Sequence, residues 1–143
     1  LPLYEAKMIQ AFDHRAASVV VEGENWMRQG QTEETTPVMH KNPEFVAMPR
    51  FWVVEKEVAD VLDGKGSLLP GFIGFKDITS PTNQRTMIAS AIPYSAVTNH
   101  FPLMLMNASC RRQLCLLGNL NSFAFDYATR QKIGGITLNF FIV

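Results

Sequence analysis

What this 143-residue chain has little of closes several routes to function. It holds two cysteines, Cys110 and Cys115. On a helix that spacing puts them on different faces, badly oriented for a disulfide. Two unpaired thiols fit a reducing compartment, and a cytoplasmic protein is expected. The three histidines, His14, His40 and His100, stand far apart without ligand-spaced partners, which argues against a metal site. No apolar run reaches the length of a membrane span, so no membrane partner is expected. Only 18% of residues are charged while 47% are apolar, the balance of a globular chain and not of a disordered one. The opening stretch "LPLYEAKMIQAFDHR" carries charges throughout, unlike a signal peptide. A first residue of Leu1 leads to the expectation of a fragment of a larger chain.

Enzyme motifs are also missing. There is no G-x-G-x-x-G after a strand, no P-loop, no H-E-x-x-H and no G-x-S-x-G. His14, between Asp13 and Arg15, has the chemistry of a general base, but such a residue more commonly brackets a helix end. No catalytic, cofactor-binding or metal-binding residue is assigned.

Charge is present but segregated. Net charge is zero, yet residues 1–63 hold 6 Lys/Arg against 11 Asp/Glu, and residues 64–143 hold 7 against 2. A basic half next to an acidic one is a hint of a polyanion-facing surface.

The length fits one domain over residues 1–143. Tyr4, Met8 and Phe12 recur at helical spacing. "SVVV" (18–21) reads as a strand. Residues 22–44 are polar, aperiodic and broken by Gly and Pro, which predicts a surface loop or insertion. "RFWVV" (50–54) is strand-like, and 55–63 continue as a short helix with Val58, Val61 and Leu62 inward. "GFIGFKDI" (71–78), "RTMIASAI" (85–92) and "FPLMLM" (101–106) read as strands, with "TSPTNQ" (79–84) a turn between the first two. A long helix is expected over 111–131, with Leu116, Leu117, Leu120, Phe123, Ala124, Tyr127 and Ala128 as its core stripe. Cys110 and Cys115 are assigned to the core as well. Gly134-Gly135 should stop the helix, and "ITLNFFIV" should end the chain as a strand. Strands and helices mix without βαβ alternation, so the fold class is α+β: small mixed sheets packed with a long C-terminal core helix and shorter helices.

Binding chemistry is better represented than catalysis. Lys76, Arg85, Arg130 and Lys132 fall at strand ends, turns or helix ends. Asn83, Gln84 and Asn139 offer paired donors and acceptors of the kind that read base edges. Thr79, Ser80 and Thr137 supply hydroxyls, and Gly134 and Gly135 supply bare backbone, all suited to phosphate. Taken singly, each of these is ordinary turn or helix-end chemistry.

Three stretches together resemble a known family: "LPLYEAKMIQAFDHR" (1–15), "GFKDITSPTNQRTMIASAIP" (74–93) and "LLGNLNSFAFDYATRQKIGGITLNFF" (116–141). They resemble the region after the catalytic core in adenine-specific DNA methyltransferases of bacterial restriction–modification systems. The nearest group is the type IIG-like enzymes, which often join methylation and cleavage in one chain. The last stretch is more loosely similar to type I specificity subunits. The resemblance spans nearly the whole chain except residues 22–44, and the three motifs in order are more specific than any alone. It implies a target-recognition domain that contacts double-stranded DNA and packs on the catalytic methyltransferase domain of its parent. S-adenosylmethionine is implied for the parent, not for this chain. The family's methyl-donor glycine motif and its Asn-Pro-Pro-aromatic motif lie upstream and do not occur here. Two departures bear on the site: Gly-Gly is commonly followed by Thr-His where this chain has Ile136-Thr137, and an acidic residue often stands at Gln84. The proline-containing tail expected after the last strand is also missing, consistent with truncation. The reading of a different class is an interaction domain that covers a catalytic core through its 10 Phe and 7 Met residues and never touches DNA.

Overall fold

The computed structural model describes residues 1–21, 31–62, 65, 70–139 and 143. The elements in chain order are β1 (Leu3–Tyr4), a 3-10 turn (Ala6–Met8), β2 (Ala17–Val20), β3 (Gln31–Glu34), α1 (Pro37–Lys41) and α2 (Glu55–Leu62). They continue with β4 (Gly71–Phe75), β5 (Ala89–Pro93), β6 (Ala96–Val97), β7 (Leu103–Met104), α3 (Cys110–Leu120) and α4 (Phe123–Lys132). This is an α+β fold with small sheets. Among the described residues no helix is long and apolar enough to cross a membrane.

Strand β4 organises the molecule. Its sequence, "GFIGF", is apolar at every position, as a strand covered on both faces requires, and all five residues are buried. It lies between β5 and β7, antiparallel to both. Side chains alternate between the two faces of a strand. Phe72 and its cross-strand partner Ile92 join Tyr4, Met8, Ile9, Val19 and Phe101 in one core. Ile73, Phe75 and the Phe75 partner Ala89 join Met87, Leu117, Leu120, Ile133 and Leu138 in the other. The first core ties the N-terminal segment to the sheet, and the second ties the C-terminal helices to it. Gly74 is needed where it stands: a Cβ there would lie 2.6 Å from the Phe101 ring. Among the described residues two further strand pairs form sheets of their own, β1 parallel to β6 and β2 antiparallel to β3.

Several expectations are corrected. The long C-terminal helix is two helices, broken at Asn121-Ser122. Asn and Ser are poor in helix interiors and favour caps and turns, and here both side chains are used at the break. Ser122 caps α4 by accepting from Phe125 N at 3.1 Å. Asn121 brackets the backbone of Ala89, donating from Nδ2 to its carbonyl (2.8 Å) and accepting from its N–H (3.0 Å). The break rotates the second half of the stripe. Phe123, Ala124, Tyr127 and Ala128 are exposed, Phe123 at 82%, while Asp126 and Thr129 are buried. Cys110 and Cys115 are exposed free thiols, not core. Helix α4 runs to Lys132 with Ile133 as its extended C-cap residue, so it stops at the glycines as expected, though neither takes the positive φ of a glycine cap.

The expected loop over residues 22–44 falls partly outside the described residues. Its described part is ordered: β3 pairs along the whole of β2, and Thr36 caps α1 by accepting from Met39 N. On α2 only Val58 is buried, and Val61 faces solvent. Residues 50–54 hold a single bridge, Trp52 to Pro2. Of the expected final strand, residues 136–139 make one bridge, Thr137 to Ile78, and 140–142 lie outside the described residues.

Candidate nucleic-acid interface

The two polar segments singled out in the sequence lie some 50 residues apart in the chain and meet in the fold. Thr79 N donates to Ile136 O (3.0 Å) and Leu138 N to Asp77 O (2.6 Å), on either side of the antiparallel bridge between Ile78 and Thr137. A few residues away, Arg130 Nη2 donates to the carbonyls of Asn83 (3.0 Å) and Gln84 (3.1 Å). The 79–84 turn and the 132–139 segment therefore share one edge.

A buried carboxylate fixes that edge. Asp126 Oδ1 accepts from Thr86 N (2.8 Å) and Met87 N (2.7 Å). Its Oδ2 accepts from Arg130 at 3.2 Å, an i,i+4 pair on α4. Arg85 Nε stands 3.6 Å from Oδ1, an ionic contact beyond hydrogen-bond length. Arg85 also donates from Nη2 to Asn121 O and lays its guanidinium 4.9 Å above the Phe123 ring. Burying a carboxylate is costly unless it is paired and hydrogen-bonded, and Asp126 has two backbone donors and two cations.

The candidate residues divide accordingly. Thr79 is 4% exposed and donates to Thr86 O at 2.8 Å, so its hydroxyl closes the turn from inside. Ser80 accepts from Thr82 N and pairs with the Thr82 hydroxyl. Arg85 and Arg130 are engaged as described. Asp77, which could have taken Arg85 across a hairpin, instead faces His100 at 3.2 Å. Asn83, Gln84, Lys132, Gly134, Gly135, Thr137 and Asn139 are exposed. A Cβ at Gly134 or Gly135 would meet nothing within 4 Å, so this stretch of backbone is open to close approach. Lys76 is half-buried and lines two open clefts, the smaller mainly polar and the larger of mixed character. One, about 360 Å³, is lined by Gln10, Asn83, Gln84 and Arg85; the other, about 630 Å³, by Glu5, Lys7, Thr98, Asn99 and His100. Burial holds the Lys76 amine below the usual lysine pKa.

The first motif touches this edge through Gln10, which lines a cleft with Asn83 and Gln84. His14 packs near the Tyr4 ring, with centroids 6.4 Å apart. Its pKa is lowered by burial and then by the Arg15 charge, with Asp13 opposing. Asp13 itself accepts from Arg15 N (2.8 Å) and meets His40 Nε2 (2.9 Å). Among the described residues no three His, Cys, Asp or Glu side chains gather as a metal site would need.

Sequence reasoning missed Asp126 and Asn121. Asp126 is one of two acids in the basic half, four residues before Arg130. That spacing on a helix was the available signal. Nothing local marks Asn121, because its partner Ala89 is 32 residues away. No protein-family model matches this chain, and neither does any curated protein or solved structure.

Proposed function

We propose that this chain is a double-stranded DNA recognition module of an adenine-specific, type IIG-like methyltransferase, and that its parent supplies S-adenosylmethionine binding and catalysis. The observation that supports the reading is the junction of the 79–84 turn with the 132–139 segment, two stretches that carry seven exposed candidate residues. Lys132 and the open Gly134-Gly135 backbone suit phosphates, which set position. Asn83, Gln84 and Asn139 suit base edges, where a good bidentate pair discriminates by about 1–3 kcal/mol. Arg85 and Arg130 serve this surface by holding its shape. Selection from a random-sequence duplex pool is the test. The reading expects an enriched motif and retention that weakens steeply with salt. Retention without enrichment, or none at low salt, contradicts it.

A second reading has its own observation. Phe51, Trp52, Val54 and Val61 are exposed near α2, more apolar surface than a solvated face needs. On this reading the α2 side packs on a catalytic methyltransferase domain. The two surfaces are different, so both contacts can coexist.

A further inference from the structure

Residues 10–13 form a tight turn, closed by Gln10 N to Asp13 O (2.8 Å) and Asp13 N to Gln10 O (2.9 Å). Its third residue is Phe12, at φ 65°. A type II turn has positive φ at that position and favours glycine there. No other non-glycine residue among those described has positive φ. The ring gains little from the fold in return, because it is 59% exposed. The backbone is nevertheless firmly held. Phe12 N donates to Ala89 O, the carbonyl that also accepts from Asn121. The next residues are anchored too, Asp13 by Arg15 N and His40, and Arg15 by the carbonyls of His40, Asn42 and Phe45. Gln10, two residues away, lines one cavity with Asn83 and Gln84.

A strained backbone persists only where its surroundings enforce it, and such positions cluster at functional sites. Here the surroundings hold an aromatic ring out in solvent, two residues from Gln10, which lines a cleft with Asn83 and Gln84. We propose that Phe12 is an apolar wedge that inserts between base pairs of a bound duplex, unstacking one step and stacking its ring on a base. Minor-groove proteins kink DNA with such wedges, and a base–aromatic stack tolerates any sequence. This rests on the DNA-recognition reading.

The test uses the 143-residue chain, a fluorescein-labelled mixed-sequence duplex, and the same duplex with one abasic site. A wedge prefers the abasic duplex, where less stacking is lost. The wild type should favour it by about tenfold. Phe12→Gly should remove that preference, keep salt-dependent binding to the intact duplex, and leave the melting temperature unchanged or raised, since glycine accepts positive φ freely. Phe12→Trp should keep the preference. Phe12→Gly that retains the abasic preference overturns the wedge alone and leaves the recognition reading standing. So does a lowered melting temperature on Phe12→Gly, which makes the ring a packing residue. Equal binding of both duplexes by the wild type also overturns the wedge alone, leaving Phe12 to a protein contact. Failure of the wild type to bind either duplex at low salt overturns both readings.

Discussion

The 79–84 turn with its following Arg85 and the 132–139 segment look alike as sequence, each carrying a cation and hydroxyl and amide side chains, each broken by Gly or Pro. The fold treats them differently. The turn is clamped by the Asp126 carboxylate, with Arg85 and Arg130 on either side. The 132–139 segment is attached to its neighbour through the backbone of residues 136–138, while Lys132 and the two glycines stay exposed. A cation within reach of a buried carboxylate is drawn into the fold, because an unpaired buried charge costs several kcal/mol. A cation without such an acid is left to the solvent and to whatever anion arrives. Positive charge in a sequence therefore does not mark a ligand contact until its acids have been placed.

The comparison can be broken most forcefully at Asp126. Asp126→Ala leaves two buried N–H groups and two guanidiniums without their acceptor, and should cost about 3–5 kcal/mol of stability in denaturant unfolding. A loss under about 1 kcal/mol would mean that the clamp contributes little. Arg85→Ala comes next. It removes the bond to Asn121 O, the ion pair and the stack on Phe123, and should cost about 1–3 kcal/mol with a lower melting temperature. An unchanged melting temperature together with a lost base preference would move Arg85 from the frame to the reading surface. His14 lies outside both regions and gives the smallest effect. Its pKa in the folded chain is below the unfolded 6.5, mainly through burial. Between those two values the unfolded state binds more protons. Stability from this group is therefore full above pH 6.5 and is lost as pH falls through the folded pKa. His14→Gln should flatten the decline of melting temperature below pH 6.5; an unaltered pH profile would remove His14 as a contributor.

Local patterns were legible in the sequence and long-range pairings were not. "GFIGFKDI" (71–78) reads as a strand, and β4 covers its first five residues, all of them buried. The acids opening "EKEVADVL" and its apolar spacing predict α2. The helix over 111–131 was readable as helix, but not its break. Leu120, Phe123 and Tyr127 keep helical spacing across Asn121-Ser122, and only the cap and the distant Ala89 contact interrupt it. The same holds for the interface. Asn83, Gln84, Lys132 and the glycines could be picked out by residue type. That Arg85 reaches the acid with which Arg130 pairs depends on a contact between distant parts of the chain, and Thr79 turns inward onto Thr86, a pairing that residue type alone does not mark. Phe12 left no local mark, since positive φ at a phenylalanine arises from tertiary anchoring and not from propensity.

The claim that the exposed edge meets phosphate while the clamp only shapes it is tested most directly at Lys132. Affinity for a labelled mixed-sequence duplex is measured across a salt series for the wild type and Lys132→Ala, with melting temperature alongside. Log affinity for the wild type should fall linearly with log salt. Lys132→Ala should shallow that slope by about one unit and shift stability by no more than about 0.5 kcal/mol. A variant with the same slope as the wild type, or a wild type whose affinity ignores salt, would contradict the account.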